Sequence, residues 1–349
     1  MRYEIESVNY AQIVHIWCGQ PAHNCYASYS IPAKPLVQAK LKCGGFFISR
    51  RRTSMKYAKP PLTYEQQADQ LLSRGLIADK AELVAKLTAV SYYRLSAYWY
   101  PFKQPDNSFA PGTKLTTIWQ RYTFDRQLRL LVMDAIERME IAVRSRLVYE
   151  LVHRYGAFAH LNPPAFPGIP PAEHQRLLDD LHDSAQRSRE VFVDHFQKTY
   201  DEFPDLPLWT AAETMTFGQM LTMFRHCGKH IQRDIGAGFN ISGNVLRSWL
   251  FTLNYIRNLC AHHSRIWNRE LAIKPILPDA RHDALWHSPH AVPNNRIFVV
   301  LTLLRYALKH TAPQSKWHTR LFELFDDYTE IRLPPMGIPA DWRNHPLWQ

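Results

Sequence analysis

The sequence is poor in the residues that staple or anchor a chain. Five cysteines in 349 residues, an odd number, exclude a disulfide framework of the secreted kind as its organising principle. Three of them, Cys18, Cys25 and Cys43, fall near His15 and His23 at the start of the chain. Their spacing matches no zinc pattern, so ordinary reduced thiols are expected. No apolar run is long enough to cross a bilayer, since "IFVVLTLL" at 297–304 is soon broken by Arg305. The charged-then-apolar pattern of a signal peptide is lacking too. A cytoplasmic protein with no membrane partner is expected.

The familiar motifs of metal and nucleotide chemistry are missing as well. There is no H-E-x-x-H, no paired C-x-x-C, no P-loop and no G-x-S-x-G elbow. No metal site and no cofactor are therefore expected. Strongly alternating strand runs and internal repeats are also wanting.

Acidic residues are the last deficit: 31 against 42 Lys and Arg, a formal charge of +11. An excess of that sign suits an anionic partner, nucleic acid above all. It is unevenly spread. Residues 1–54 hold seven basic and two acidic residues, so +5 of the +11 sits there and the rest of the chain is only mildly basic. This segment has poor periodicity and ends in "SRRRTS". It reads as a basic arm or, preferably, as an extension upstream of a translation start at Met55.

What the chain does have is apolar residues (46%) at helical spacing, enough for a sizeable core. From Met55 onward a single all-α domain, residues 55–349, is expected, a helical bundle interrupted by the proline-rich break "LNPPAFPGIPP" at 161–171. "LTYEQQADQLLSRG" offers Thr63 as N-cap, Gln66 at the capping-box position and Gly75 as a stop. "KAELVAKLTAVSYYRLSAYWYPF" continues as one helix ended by Pro101, its aromatics packed rather than presented to bases. A long helix over 115–155 carries the apolar stripe Ile118, Tyr122, Leu128, Leu131, Ala135, Met139, Ala142 and Val143, and pairs Glu140 with Arg144. Further helices are expected over 172–200, 208–226, 243–266, 295–310 and 314–328, followed by an extended aromatic tail.

The helix over 243–266 is the candidate for chemistry. At about 100° per residue, Asn254, Arg257, Asn258, His262 and Arg265 share one side, with Leu250 beside them. Trp249, Leu253, Ile256, Leu259, Cys260 and Ile266 share the other. His263 points among the apolar residues, where an orienting or structural role fits it. A face of Asn, Arg and His with no Lys or Glu suits a cleft or a subunit interface better than open water.

Arg257, four intervening residues and His262 form an R-x4-H spacing with a polar Asn258 after the arginine. Together with "SYYRLSAYWYPF", "FDRQLRLLVMDAIERMEIAVRSRL", "ETMTFGQM", "RNLCAHHSRIWNR" and "MGIPADWRNHPLW", it resembles the abortive-infection Abi family of the AbiD/AbiF type, within the HEPN superfamily. The resemblance runs from about residue 58 to the C-terminus. It implies a phage-defence protein with a HEPN-like helical core. It further implies a homodimer in which two R-x4-H helices meet to make a metal-independent endoribonuclease site. A toxin of this kind is expected to be held in check by a small RNA or a protein antitoxin.

In that chemistry the RNA supplies its own 2′-hydroxyl nucleophile. His262 serves as general acid or base, because an imidazole titrates near neutrality. Arg257 clamps the phosphoryl oxygens, and Asn258 orients His262 from one turn earlier. Arg265, Arg269, Arg126 and Arg144 are candidates for RNA contact. Two other readings stay open: a non-catalytic RNA-binding module, and an interaction protein whose Asn254 face only mates two chains.

Overall fold

Thr63 starts the ordered bundle as its residue type demands. Its hydroxyl accepts from the Gln66 N–H at 3.2 Å, and the Gln66 side chain accepts from the Thr63 N–H at 2.9 Å. The computed structural model describes residues 58–349; Cys18, Cys25, Cys43, His15, His23 and the basic 1–54 segment lie outside the described residues. Helix α1 (Tyr64–Ser73) then runs to Gly75, whose φ of 90° turns the chain back. The single helix expected next is two, α2 (Lys80–Val90) and α3 (Tyr92–Trp99). Ser91, at φ 69°, separates them, and its hydroxyl caps the Arg94 N–H.

Helix α4 (Leu115–Tyr155) is the spine of the fold, 41 residues long and therefore about 60 Å. Ile118, Leu128, Ala135, Met139 and Val143 are fully buried along it, joined by Phe124, Val132 and Leu147. Beyond Gly156 come α5 (Pro171–Arg187), α6 (Val191–Thr199), α7 (Leu208–Thr214) and α8 (Phe217–His226). Two expected helices are thus broken. The first stops at Ser188. The second is divided by a new capping box at Thr216 and Gln219.

Helix α9 (Lys229–Ala237) was not legible in the sequence, and it crosses closely over α10 (Gly243–Ala261). A Cβ at Gly236 would meet the Ile241 carbonyl at 2.7 Å, and one at Gly243 would meet the Gln232 backbone at 2.7 Å. Helix α11 (Ile297–Thr311) is buried almost throughout, and α12 (Trp317–Asp327) is tied to the spine by Trp317, whose Nε1–H donates to the Leu131 carbonyl at 2.7 Å. Helices α3 and α7 to α12 all pack against α4. The tail is not extended as expected. It folds into short 3-10 turns at Pro334–Met336 and Trp342–Asn344, and Trp342 and Trp348 pack on Phe298 and Phe322.

The described residues thus give an all-α fold with twelve α-helices and no strand, only isolated bridges at Ile77–Lys114 and Lys103–Phe109. None of these helices is long and apolar enough to cross a membrane.

His160 links this core to pH. It is 2% exposed, and burial drives its pKa down to about 4, against the opposing pull of Asp205. In the unfolded chain an imidazole titrates near about 6.5. Between those values the unfolded state binds the extra proton, so stability is full above about pH 6.5 and is lost as pH falls. We expect urea midpoints to drop on acidification across this window, and His160→Asn to flatten that dependence by up to about 1.4 kcal/mol per pH unit.

Candidate functional site

Ser242 opens α10 by accepting from the Val245 N–H at 3.3 Å. Trp249, Leu253, Ile256 and Cys260 then fill the core side of the helix. Leu250, expected beside Arg257 on the polar side, is fully buried. Helices α4, α8, α9 and α11 all pack on α10 and cover its core side. The Cys260 thiol sits on this covered side, and burial pushes its pKa up to about 12. It is an inert structural thiol.

The helix ends at Ala261, five residues before the expected Ile266. His262 is the C-cap, and its N–H donates to the Asn258 carbonyl at 3.0 Å. His263 takes a left-handed φ of 56°. Its N–H donates to the Cys260 carbonyl at 2.9 Å, and the Ser264 N–H donates to the Leu259 carbonyl at 2.8 Å. This double hydrogen bond is a Schellman closure, normally built on glycine. Its consequence corrects the helical projection. His263 does not point among apolar residues; the reversal leaves His262 and His263 both exposed.

A buried carboxylate holds that reversal in place. Asp125 of α4 is 0% exposed. Its Oδ1 accepts from the N–H groups of Ile266 at 3.1 Å and Trp267 at 2.6 Å. Its Oδ2 accepts from the Tyr98 hydroxyl at 2.6 Å and forms a close ion pair with Arg129. Burial pushes the Asp125 carboxyl up, against the pull of Arg129, Tyr98 and the two backbone donors. Burial and the neighbouring carboxylate push the Tyr98 phenol up as well, which keeps it a donor. Arg94 of α3 donates to the His263 carbonyl at 2.7 Å, and Arg265 donates to the Ala97 carbonyl at 3.0 Å. The Arg121 guanidinium lies 5.1 Å from the Trp267 ring and 4.0 Å from that of Phe102.

The end of α10 that this clamp positions is open. Arg257 is half-buried, Asn258 and His262 are exposed, and Asn254 is half-buried one turn earlier. Arg257 makes only a long contact with the Asn258 side chain, 3.5 Å, and meets no carboxylate within ion-pair distance among the described residues. Its charge is felt at Glu140, where burial raises the carboxyl while Arg144 and Arg257 draw it down. The residues proposed to act together thus share one edge of the protein.

The four outlying arginines separate. Arg265 turns inward to Ala97, and Arg144 is paired with Glu140 and donates to the Met215 carbonyl at 2.9 Å. Arg269 is half-buried and reaches the Arg265 carbonyl at 3.5 Å. Arg126 is exposed with no ion pair among the described residues. The sequence reading missed Asp125, Tyr98, Arg94 and the role of Arg129. One signal was present: Asp125 falls in the apolar phase of α4, where a carboxylate needs a reason.

A family model described as Abi-like protein matches residues 85–268, more than half of the chain. That span starts within α2 and ends just after Trp267, so it takes in Tyr98, Asp125, Arg129, Arg257 and His262. No curated protein and no solved structure matches the chain.

Removing one partner of a buried ion pair leaves the other uncompensated, at a cost of about 3–5 kcal/mol. We expect Asp125→Ala to lower stability by that amount in urea titrations. Hydrogen exchange should quicken first at the Ile266 and Trp267 amides, and Asp125→Asn, which keeps an acceptor, should do less.

Proposed function

Because the chain belongs to the Abi-like protein family, we propose that it serves in abortive infection, a phage-defence role, as a HEPN-type endoribonuclease that needs no metal. The observation that carries this reading is the shared edge of Arg257, Asn258 and His262. A guanidinium with no carboxylate at ion-pair distance among the described residues and an exposed imidazole stand on one helix end, held by a clamp that uses neither.

The reaction follows from those groups. An imidazole takes the proton of the RNA 2′-hydroxyl, and the 2′-oxygen attacks the adjacent phosphorus. Arg257 binds the phosphoryl oxygens as negative charge builds on them. The bond from phosphorus to the 5′-oxygen breaks, and a protonated imidazole returns a proton to that oxygen. The products are a 2′,3′-cyclic phosphate and a 5′-hydroxyl. Asn258, one turn before His262, orients it. The two imidazoles come from two copies of the chain, each contributing His262 to one cleft. The exposure of His263 supports a second arrangement, in which one chain supplies both.

The net charge of +11 also fits an RNA-binding module that holds its ligand without turnover; salt-sensitive binding with no products would identify it. Purified protein on end-labelled RNA in EDTA tests the proposal. We expect cleavage with cyclic-phosphate ends, reduced about 100-fold or more by His262→Ala and comparably by Arg257→Ala, with unchanged circular dichroism. His263→Ala retains cleavage if the two-chain cleft is right, and loses it if one chain suffices. Failure of the wild-type protein to cut any RNA tested would remove the enzymatic reading.

A further inference from the structure

Helix α4 carries a mostly exposed stripe on its outer surface. Arg126, Leu130, Met133 and Glu137 are spaced i, i+4, i+7 and i+11, so they lie on one face over about three turns. Leu130 is 60% exposed, and Ile141, one turn beyond Glu137, is 55% exposed. Arg126 and Glu137 are exposed and Met133 is half-buried.

The two charges stand out against the rest of the helix. Arg129, Arg138, Arg144 and Arg154 each pair with a carboxylate four residues earlier. Arg126 and Glu137 make no ion pair among the described residues. Their neighbours four residues away are Tyr122 and Leu130 for Arg126, and Met133 and Ile141 for Glu137. The helix offers neither of them a partner.

Read from its N-terminal end the stripe is cation, apolar, apolar, anion. Reversed, it is its own complement. The geometry points to this face of α4 as the surface on which a second copy of the chain docks, the two helices antiparallel. A two-fold axis midway between Leu130 and Met133 sets Arg126 against the partner subunit's Glu137, and Leu130 against the partner subunit's Met133, each contact occurring twice. Parallel pairing sets like charge against like and is disfavoured.

The same axis bears on the candidate site. Helix α10 runs along α4 in the opposite sense: Ile266 and Ser264 are level with Asp125 and Arg129, while Arg257 acts on Glu140. Interpolated between Arg257 and Ser264, His262 falls between those levels, toward the stretch of α4 that the axis crosses. In an antiparallel face-to-face pair both copies of α10 lie on the same side. The two His262 side chains therefore approach across the axis, with an Arg257 beyond each. This last step rests on the ribonuclease reading; the pairing of α4 does not.

Light scattering on the full-length chain tests the pairing. The wild type is expected at the mass of two chains. Arg126→Glu and Glu137→Arg should each weaken the dimer by roughly 100-fold, and the double variant R126E/E137R should restore it. Thermal midpoints of the variants, expected within a few degrees of wild type, show that these surface changes leave the fold intact. A monomeric wild type, single variants that stay dimeric, or a double variant no better than either single would overturn the pairing. Dimers that follow the charge swap yet cut no RNA uphold the pairing and remove the ribonuclease reading. Full-rate cleavage by monomeric R126E upholds the pairing and overturns the meeting of two His262 side chains.

Discussion

One buried carboxylate governs the part of this protein that carries Arg257 and His262. Asp125 has no exposure to water, and four donors converge on it: a guanidinium, a phenol and two successive backbone N–H groups. A charge in that position is tolerable only while all of them are present. The constraint also runs the other way. Ile266 and Trp267 can satisfy the carboxylate only if the chain turns sharply after Ala261, which obliges His263 to adopt a left-handed backbone. The reversal that exposes both histidines is therefore dictated from α4, through Asp125, rather than by the preferences of the residues that make it.

Helix α4 thus does different work on its different faces. Its apolar stripe carries the core, and its flank toward α10 carries the Asp125–Arg129 pair. The face left over carries charges with no partner on their own helix. A long central helix in a bundle has room for all three because successive faces are separated by only one or two residues of phase. The single helix fixes where the end of α10 sits and, if the stripe pairs as inferred, where a second copy of that end must come.

Much of the architecture was legible because it rests on local rules. Thr63 with Gln66, Gly75 and Gly156 mark ends through capping and backbone freedom, and the spine between 115 and 155 follows from its periodicity. The readings that failed depended on the tertiary environment. Ser91 breaks a continuous helical pattern at a left-handed φ that serine rarely adopts. Leu250 has the phase of a polar-side residue and is buried because four helices surround α10. The end of α10 carries no glycine or proline to announce it, so projection past Ala261 placed His263 inward when the chain had already reversed. The spacing of Arg257 and His262 was visible in the sequence; the clamp that presents them was not, because its parts lie in α3, α4 and the loop after α10.

The absence of glycine at position 263 is itself informative. A Schellman closure is most cheaply made with glycine, and a residue with a Cβ in the left-handed region costs roughly 1 kcal/mol or more. His263 bears that cost while its side chain stays exposed, so core packing does not account for its being there. Two things hold the strained backbone: the Arg94 hydrogen bond to the His263 carbonyl and the Asp125 bonds three and four residues beyond. Strain that a structure over-determines in this way is concentrated where chains do chemistry. A helix continuing through residue 266 would have carried His263 about 100° away from His262 and toward the core. The reversal instead keeps both imidazoles exposed at the end of the helix that carries Arg257. That outcome links a purely structural network in α3 and α4 to the edge on which a phosphodiester would be held.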